Sequence, residues 1–121
     1  KPVISIGRVK ETYEESARKA PARAKVHLGK KYDFGYNESN DEFYCSELVR
    51  FAFLDNDGKP IFSPLAMTFR NKETGLEEPF WVAHFKKLHL EIPEGEPGTN
   101  PADMAKSDVL NIVYSYFFME K

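Results

Sequence analysis

The chain of 121 residues is 41% hydrophobic and 30% charged, enough apolar content for one domain that buries about two-thirds of its unfolded surface, which excludes disorder as the default state. Its 17 basic and 19 acidic residues leave a net charge of -2 with no long block of either sign, so charge gives no case for nucleic acid or an anionic membrane as partner. One cysteine excludes an internal disulfide and leaves the redox compartment open, and no apolar run reaches the roughly 18 residues of a membrane span.

The chain opens on Lys1 with neither an initiator Met nor a signal peptide, the pattern expected of a trimmed product with sequence upstream. VISIGRV, Val3 to Val9, alternates weakly and is rich in β-branched residues, which predicts a strand buried on at least one face. Thr12 and Glu15 form the T-x-x-E pattern of a capping box, placing a helix start near Tyr13. Tyr13, Ala17, Ala20, Ala24 and Leu28 then recur at helical spacing as a small-residue stripe, with Pro21 as a kink or restart and Gly29 as the stop. Leu28 to Asp41 is turn-rich. From Cys45, the residues Leu48, Val49, Ala52 and Phe53 follow the spacing of one buried helical face, so Cys45 is expected to begin the inward face. DNDGKP, Asp55 to Pro60, ends that helix.

Ile61 to Pro79 has few regular patterns and predicts a long irregular excursion of the kind that often forms a binding wall. FWVAHF (Phe80 to Phe85) and LHLEI (Leu88 to Ile92) read as strands, and PEGEPG (Pro93 to Gly98) as a turn. Asn100, Pro101 and Asp103 have the order of an N-cap, a first-turn proline and a favourable first-turn acid. VLNIVYSYFF, Val109 to Phe118, is the last strand. The order implies an α+β fold with helices on an antiparallel sheet and the sheet against the cysteine helix.

A thiol at a helix N-terminus meets the positive end of the helix dipole and free backbone N–H groups, which favour thiolate and can hold an oxyanion. Taken alone, a single cysteine is more often a small buried hydrophobe. The flanking residues add a specific signal. LGKKYDFG (Leu28 to Gly35), a polar loop and then YCSELV (Tyr44 to Val49) resemble the core of the NlpC/P60 papain-like cysteine peptidases and amidases, and more narrowly the circularly permuted branch typified by the YiiX and YaeF proteins. EGEPGTNPADM, Glu94 to Met104, is similar to that family's C-terminal loop and short helix.

The resemblance covers nearly the whole chain. It implies a papain-like fold over 1–121, either a whole domain or the C-terminal portion of one. Cys45 matches the nucleophile and Tyr32 the tyrosine beside it, with an aromatic turn residue packing on the helix as the bland alternative for Tyr32. Implied substrates are peptides, cell-wall peptides or acyl-amide lipids. No cofactor or metal is implied, and one cysteine with three scattered histidines makes no zinc-like ligand set. The family's localisation allows a periplasmic or cell-envelope setting and leaves a cytoplasmic one open.

One departure bears on activity. The permuted branch carries its general-base His in a strand upstream of the Cys, within an HVGI-like motif that this chain lacks. His27 lies in the small-residue helix and reads as structural. His84 and His89 follow Cys45 in ordinary papain order but without the family's flanks, so a Cys45–His84 dyad is the lesser reading and a solvent-facing or capping role the default for both. Glu47 and Arg50 read as solvated helix flanks, with Glu47 in the first turn also able to hydrogen-bond near the site, and Phe62, Met67, Phe69, Phe80 and Trp81 as core more than groove. The expected molecule is therefore a cysteine hydrolase whose base lies upstream, inactive as an isolated chain, and associating with its N-terminal portion or with itself. The rival is a non-catalytic papain-like binding module with a structural Cys45.

Overall fold

The β-branched and aromatic residues at the two ends of the chain pair with each other. In a computed structural model describing residues 2–38 and 40–117, Pro2–Val9 (β1) and Leu110–Phe117 (β4) form an antiparallel ribbon with Ser5 opposite Ser115 and Val9 opposite Leu110. The expected final residue of that last strand, Phe118, lies outside the described residues. Among the described residues the ribbon has no third strand, and Val3, Ile4, Ile6, Ile112, Val113 and Tyr114 remain exposed. The expectation of a buried β1 face is therefore not met, because two strands alone have too little surface to cover one another.

The next helix starts differently from its capping-box pattern. A 3-10 turn at Glu11–Tyr13 leads into Glu14–Lys25 (α1), whose N-cap Tyr13 makes no side-chain capping bond. Glu15 is drawn instead to Arg18 at 2.8 Å and Lys19 at 3.5 Å along the same helix face. Pro21 lies inside α1, which continues to Lys25 before the chain turns through Gly29 at φ +87°. Ala17, Ala20 and Ala24 face Leu48 and Ala52 of the second helix, Cys45–Ala52 (α2), the close approach that small side chains permit. Leu28 falls beyond α1 and is exposed. Arg23 donates from Nη1 to the carbonyls of Ala52 (3.4 Å) and Leu54 (3.1 Å), closing the C-terminal end of α2. The turn after it follows the sequence reading: Asp55 Oδ1 accepts from the N–H groups of Asp57 and Lys59, both at 2.9 Å.

The excursion from residue 61 to 79 is mostly irregular. It touches the C-terminal loop through a short antiparallel pair, Leu65–Ala66 (β2) with Pro97–Gly98 (β3). Glu94 secures it, its carboxylate accepting from Thr68 Oγ1 at 2.7 Å and Phe69 N at 2.8 Å. These bonds hold the Glu94 carboxyl below its usual range, the nearby Arg70 adding to the effect.

The two strands expected from Phe80 to Ile92 are absent. Pro79–Lys87 is a helix (α3) with Pro79 in its first turn, a position where the missing N–H costs no intrahelical bond. Trp81 and Phe85, four residues apart, lie on one face of it, and the apolar run that suggested a strand is the seam of this helix. The alternation after it is interrupted because His89 takes the left-handed conformation at φ +57°. His89 N–H then reaches the Lys86 carbonyl at 3.1 Å and Leu90 N–H the Phe85 carbonyl at 3.0 Å, a Schellman ending that usually employs glycine.

Asn100 caps Pro101–Ala105 (α4) as expected, its Oδ1 accepting from Asp103 N at 2.8 Å. The core comprises Ala20, Tyr44, Ala52, Phe62, Phe69, Phe85 and Val109. Phe85 is 1% exposed and meets Phe69 edge-on at 5.4 Å. Phe85→Ala is expected to cost about 3–5 kcal/mol of stability, read as a lowered urea midpoint at unchanged slope.

Candidate active site

The strand-like segment ahead of α2 is held by its neighbour upstream. Tyr32 forms a parallel bridge with Phe43, flanked by Asp33 N–H to the Phe43 carbonyl at 3.1 Å and Phe43 N–H to the Lys31 carbonyl at 3.2 Å. Tyr32 is thereby fixed alongside a residue two positions before Cys45, with 43% of its surface exposed. Asp33 is buried, and its carboxylate accepts from Gly35 N at 3.0 Å and Asn37 N at 2.7 Å. Tyr36, between those donors, adopts φ +53°.

Cys45 is the first residue of α2, so its N–H is one of the donors for which a helix provides no internal acceptor. It is exposed, contrary to the expectation that it begins the inward face. The inward residues are Ser46, Glu47 and Ala52; at N1 the thiol instead opens into an apolar cleft of about 290 Å³ between α2, α4 and the ribbon, bordered by Val49, Met104, Ala105, Leu110 and Ile112.

Both sequence neighbours of Cys45 are pinned to one distant residue. Thr99 N–H donates to the Tyr44 hydroxyl at 3.2 Å. Ser46 Oγ donates to the Thr99 carbonyl at 3.0 Å, and Thr99 Oγ1 donates to Ser46 Oγ at 3.2 Å. All three residues are buried, where such bonds are costly to leave unmade. Burial pushes the Tyr44 phenol above its ordinary range while the bonds with Thr99 oppose that shift. Gly98 permits the approach, since a Cβ there would lie 2.5 Å from Met67 Sδ and 3.1 Å from the Tyr44 hydroxyl oxygen.

Glu47 and Arg50 are not the solvated flanks their sequence positions suggest. Glu47 is 1% exposed, with Oε1 accepting from Tyr44 N–H at 3.2 Å, the acidic half of a capping box around Cys45. Burial pushes its carboxyl up to about 7, Asp33 and Glu38 adding while Tyr44 N–H and Arg50 oppose. Arg50 spans two loops, reaching Glu38 at 2.7 Å and the Phe62 carbonyl at 3.1 Å.

None of the three histidines lines the cleft into which Cys45 opens. His27 packs its ring on Phe43 at 4.4 Å, His89 ends α3, and His84 Nε2 lies 2.7 Å from the Phe34 carbonyl. Of the residues offered as core or groove, Phe62 and Phe69 are buried and Phe80 is exposed. Thr99 and Tyr36 had no individual signal in the sequence. The turn around Tyr36 was partly readable from Asp33 and Gly35, whereas the Thr99 contacts join segments 53 and 55 residues apart.

Two outcomes follow from these placements. The folded chain holds the Glu47 proton more tightly than the unfolded chain, so this contribution to stability is complete below about pH 4.5 and is lost as pH rises to about 7. Urea midpoints should fall across that window by an amount worth up to about 3 kcal/mol, and Glu47→Gln should flatten the fall. His84→Ala should leave the rate and pH profile of Cys45 alkylation unchanged; a lost or displaced profile would give His84 the base role.

No curated protein matches the chain. A solved structure described as the metalloprotein yiiX from Escherichia coli O157:H7 is similar over 93% of this chain, with a TM-score of 0.67 and 28% identity, and this chain spans 62% of that one. Among the described residues no three His, Cys, Asp or Glu side chains come together as metal ligands. Also among the described residues, no helix is long and apolar enough to cross a membrane. Residues 2–114 match the family described as permuted papain-like amidase enzyme, YaeF/YiiX, C92 family, a match that agrees with the mixed helical and antiparallel architecture. On that match the chain belongs to the permuted papain-like amidases of the YaeF/YiiX family.

Proposed function

We propose that this chain is the cysteine-bearing, C-terminal portion of a permuted papain-like amidase domain, with Cys45 as nucleophile and Tyr32 beside it. The observation that carries the reading is the placement of the thiol: exposed, first in its helix, clamped through both sequence neighbours and open to an apolar cleft. The Cys45 thiolate attacks the carbonyl carbon of an amide or ester, and the carbonyl oxygen takes the negative charge at the Cys45 N–H. Collapse of that adduct expels the amine or alcohol, which takes up a proton, and leaves a thioester on Cys45. Water then releases the acid and restores the thiol. Between the substrate classes the family implies, the apolar lining favours the acyl side of an acyl-amide over a charged peptide.

The general base is an imidazole from upstream of this portion. A two-stranded ribbon that leaves β-branched and aromatic residues exposed is suited to receive further strands, and strands added there would border the cleft beside Cys45. The chain's 62% span of the yiiX chain agrees with a missing portion of the same fold. An exposed Cys45 disfavours the rival in which it serves only as structural packing.

In the full-length protein, Cys45→Ala should reduce hydrolysis of an N-acyl amide by about 10³-fold or more while retaining the folded circular dichroism spectrum. A Cys45→Ala protein with full activity would exclude the nucleophile role.

A further inference from the structure

We propose that Thr99 is a positioning residue of the Cys45 site, acting through Ser46 and Tyr44 to hold the Cys45 N–H where the carbonyl oxygen of a substrate must sit. This inference rests on the proposed reading of Cys45 and extends it to a residue of the C-terminal loop.

Every polar group of Thr99 is directed to a residue flanking Cys45. Its N–H donates to the Tyr44 hydroxyl at 3.2 Å, its carbonyl accepts from Ser46 Oγ at 3.0 Å, and its hydroxyl donates to that same Ser46 Oγ at 3.2 Å. The two bonds at Ser46 form a pair: Ser46 Oγ spends its one proton on the Thr99 carbonyl and accepts the Thr99 hydroxyl on a lone pair. All three residues are buried, so water does not replace a bond that is lost.

The first turn of α2 does not supply the same restraint itself. Tyr44, its N-cap, is not one of the short polar residues that usually hold a helix start. Ser46 belongs to a residue type that readily bonds its own helix backbone, yet here its hydroxyl goes to Thr99. Glu47 holds the Tyr44 N–H and leaves both flanking side chains to Thr99. The loop that carries Thr99 also leads into the opposite wall of the cleft. Asn100 follows as the N-cap of α4, and Pro101, Met104 and Ala105 of that helix border the cleft beside Cys45.

Attack on a carbonyl needs the sulfur, the carbon and the oxyanion donor in one arrangement, and misplacement by about 1 Å can cost on the order of 10²-fold. Packing alone would be served as well by valine, which keeps the shape of threonine and the backbone bonds of residue 99. The hydroxyl is what distinguishes positioning from packing.

The test compares two reactions of one thiol in the full-length protein. Hydrolysis of an N-acyl amide depends on the oxyanion donor, whereas iodoacetamide is attacked at a saturated carbon, with an S–C bond formed as iodide leaves and no oxyanion to hold. Thr99→Val should lower kcat for hydrolysis by about five-fold or more, with KM and the rate and pH profile of Cys45 alkylation within about two-fold of the parent, and Thr99→Ser should recover kcat. The losses from Thr99→Val and Ser46→Ala should not add, since both break the same bond. A parent-like kcat in Thr99→Val, an equally impaired Thr99→Ser, additive losses, or hydrolysis and alkylation changing in parallel would overturn the proposal. If Thr99→Val fails to fold, Ser46→Ala takes the same pair of measurements: selective loss of hydrolysis is expected, and parent-like hydrolysis or a parallel loss would overturn the role of Thr99. Cys45→Ala separates the two levels. Its full activity would remove the nucleophile reading, whereas its inactivity beside a parent-like Thr99→Val would remove only the positioning role.

Discussion

The site depends on hydrogen bonds between residues more than 50 positions apart. Thr99 bonds the residue before Cys45 through its N–H and the residue after it through its carbonyl and hydroxyl. A helix N-terminus frays when it is held only by its own first turn; here the first turn of α2 is fixed from outside. The same constraint orders the C-terminal loop, because Thr99 reaches Tyr44 only if Gly98 passes Met67 without a side chain. The β2–β3 pair then extends this fixation into the irregular excursion. The nucleophile candidate, the loop wall and the short helix α4 are thus one mechanical unit despite their separation in sequence.

Within that unit, Glu47 illustrates how placement reverses ordinary chemistry. A first-turn acid is normally welcome as an anion at the helix N-terminus. Here its backbone capping bond to Tyr44 is made inside the protein, beside Asp33 and Glu38, and desolvation outweighs the favourable contacts. With its carboxyl pushed up to about 7, Glu47 holds the Tyr44 N–H while carrying only part of a negative charge near neutrality in the first turn of the cysteine helix.

Where local chemistry decides structure, the sequence was legible. Asn100 with Pro101 defined α4, Asp55 and Gly58 defined the turn after α2, and the apolar spacing from Cys45 defined α2 itself. The same spacing misassigned the exposed face, because it records which residues are apolar and not whether the surface opposite them is present. Val49 and Cys45 border an open cleft, so their apolar character alone could not indicate burial. The error at α3 has a different origin. A short apolar run satisfies both helical and strand readings, and the stop that would have decided between them is carried by His89 in a conformation usually marked by glycine. The YCSELV motif carried the family resemblance through the flanks of Cys45, while Thr99 was accessible only once the chain was folded.

The proposed function gives the exposed ribbon and the exposed thiol one physical explanation. If the ribbon were a finished element, its apolar residues would be a solubility liability with no structural return, since two strands bury little of one another. If Cys45 were a structural residue, its position on the rim of a cleft would leave it neither packed nor protected. On the proposed reading both observations agree, because the cleft is then the seam between two portions of one domain: the ribbon offers edges for added strands, and those strands bring the base to the side of Cys45 that α2 leaves open. The described residues already contain the costly preorganisation, including the strained Tyr36 turn, the buried Glu47 and the Thr99 clamp. Under the proposed function the seam adds a proton acceptor on a strand, for which backbone pairing with β1 or β4 would set register and distance together.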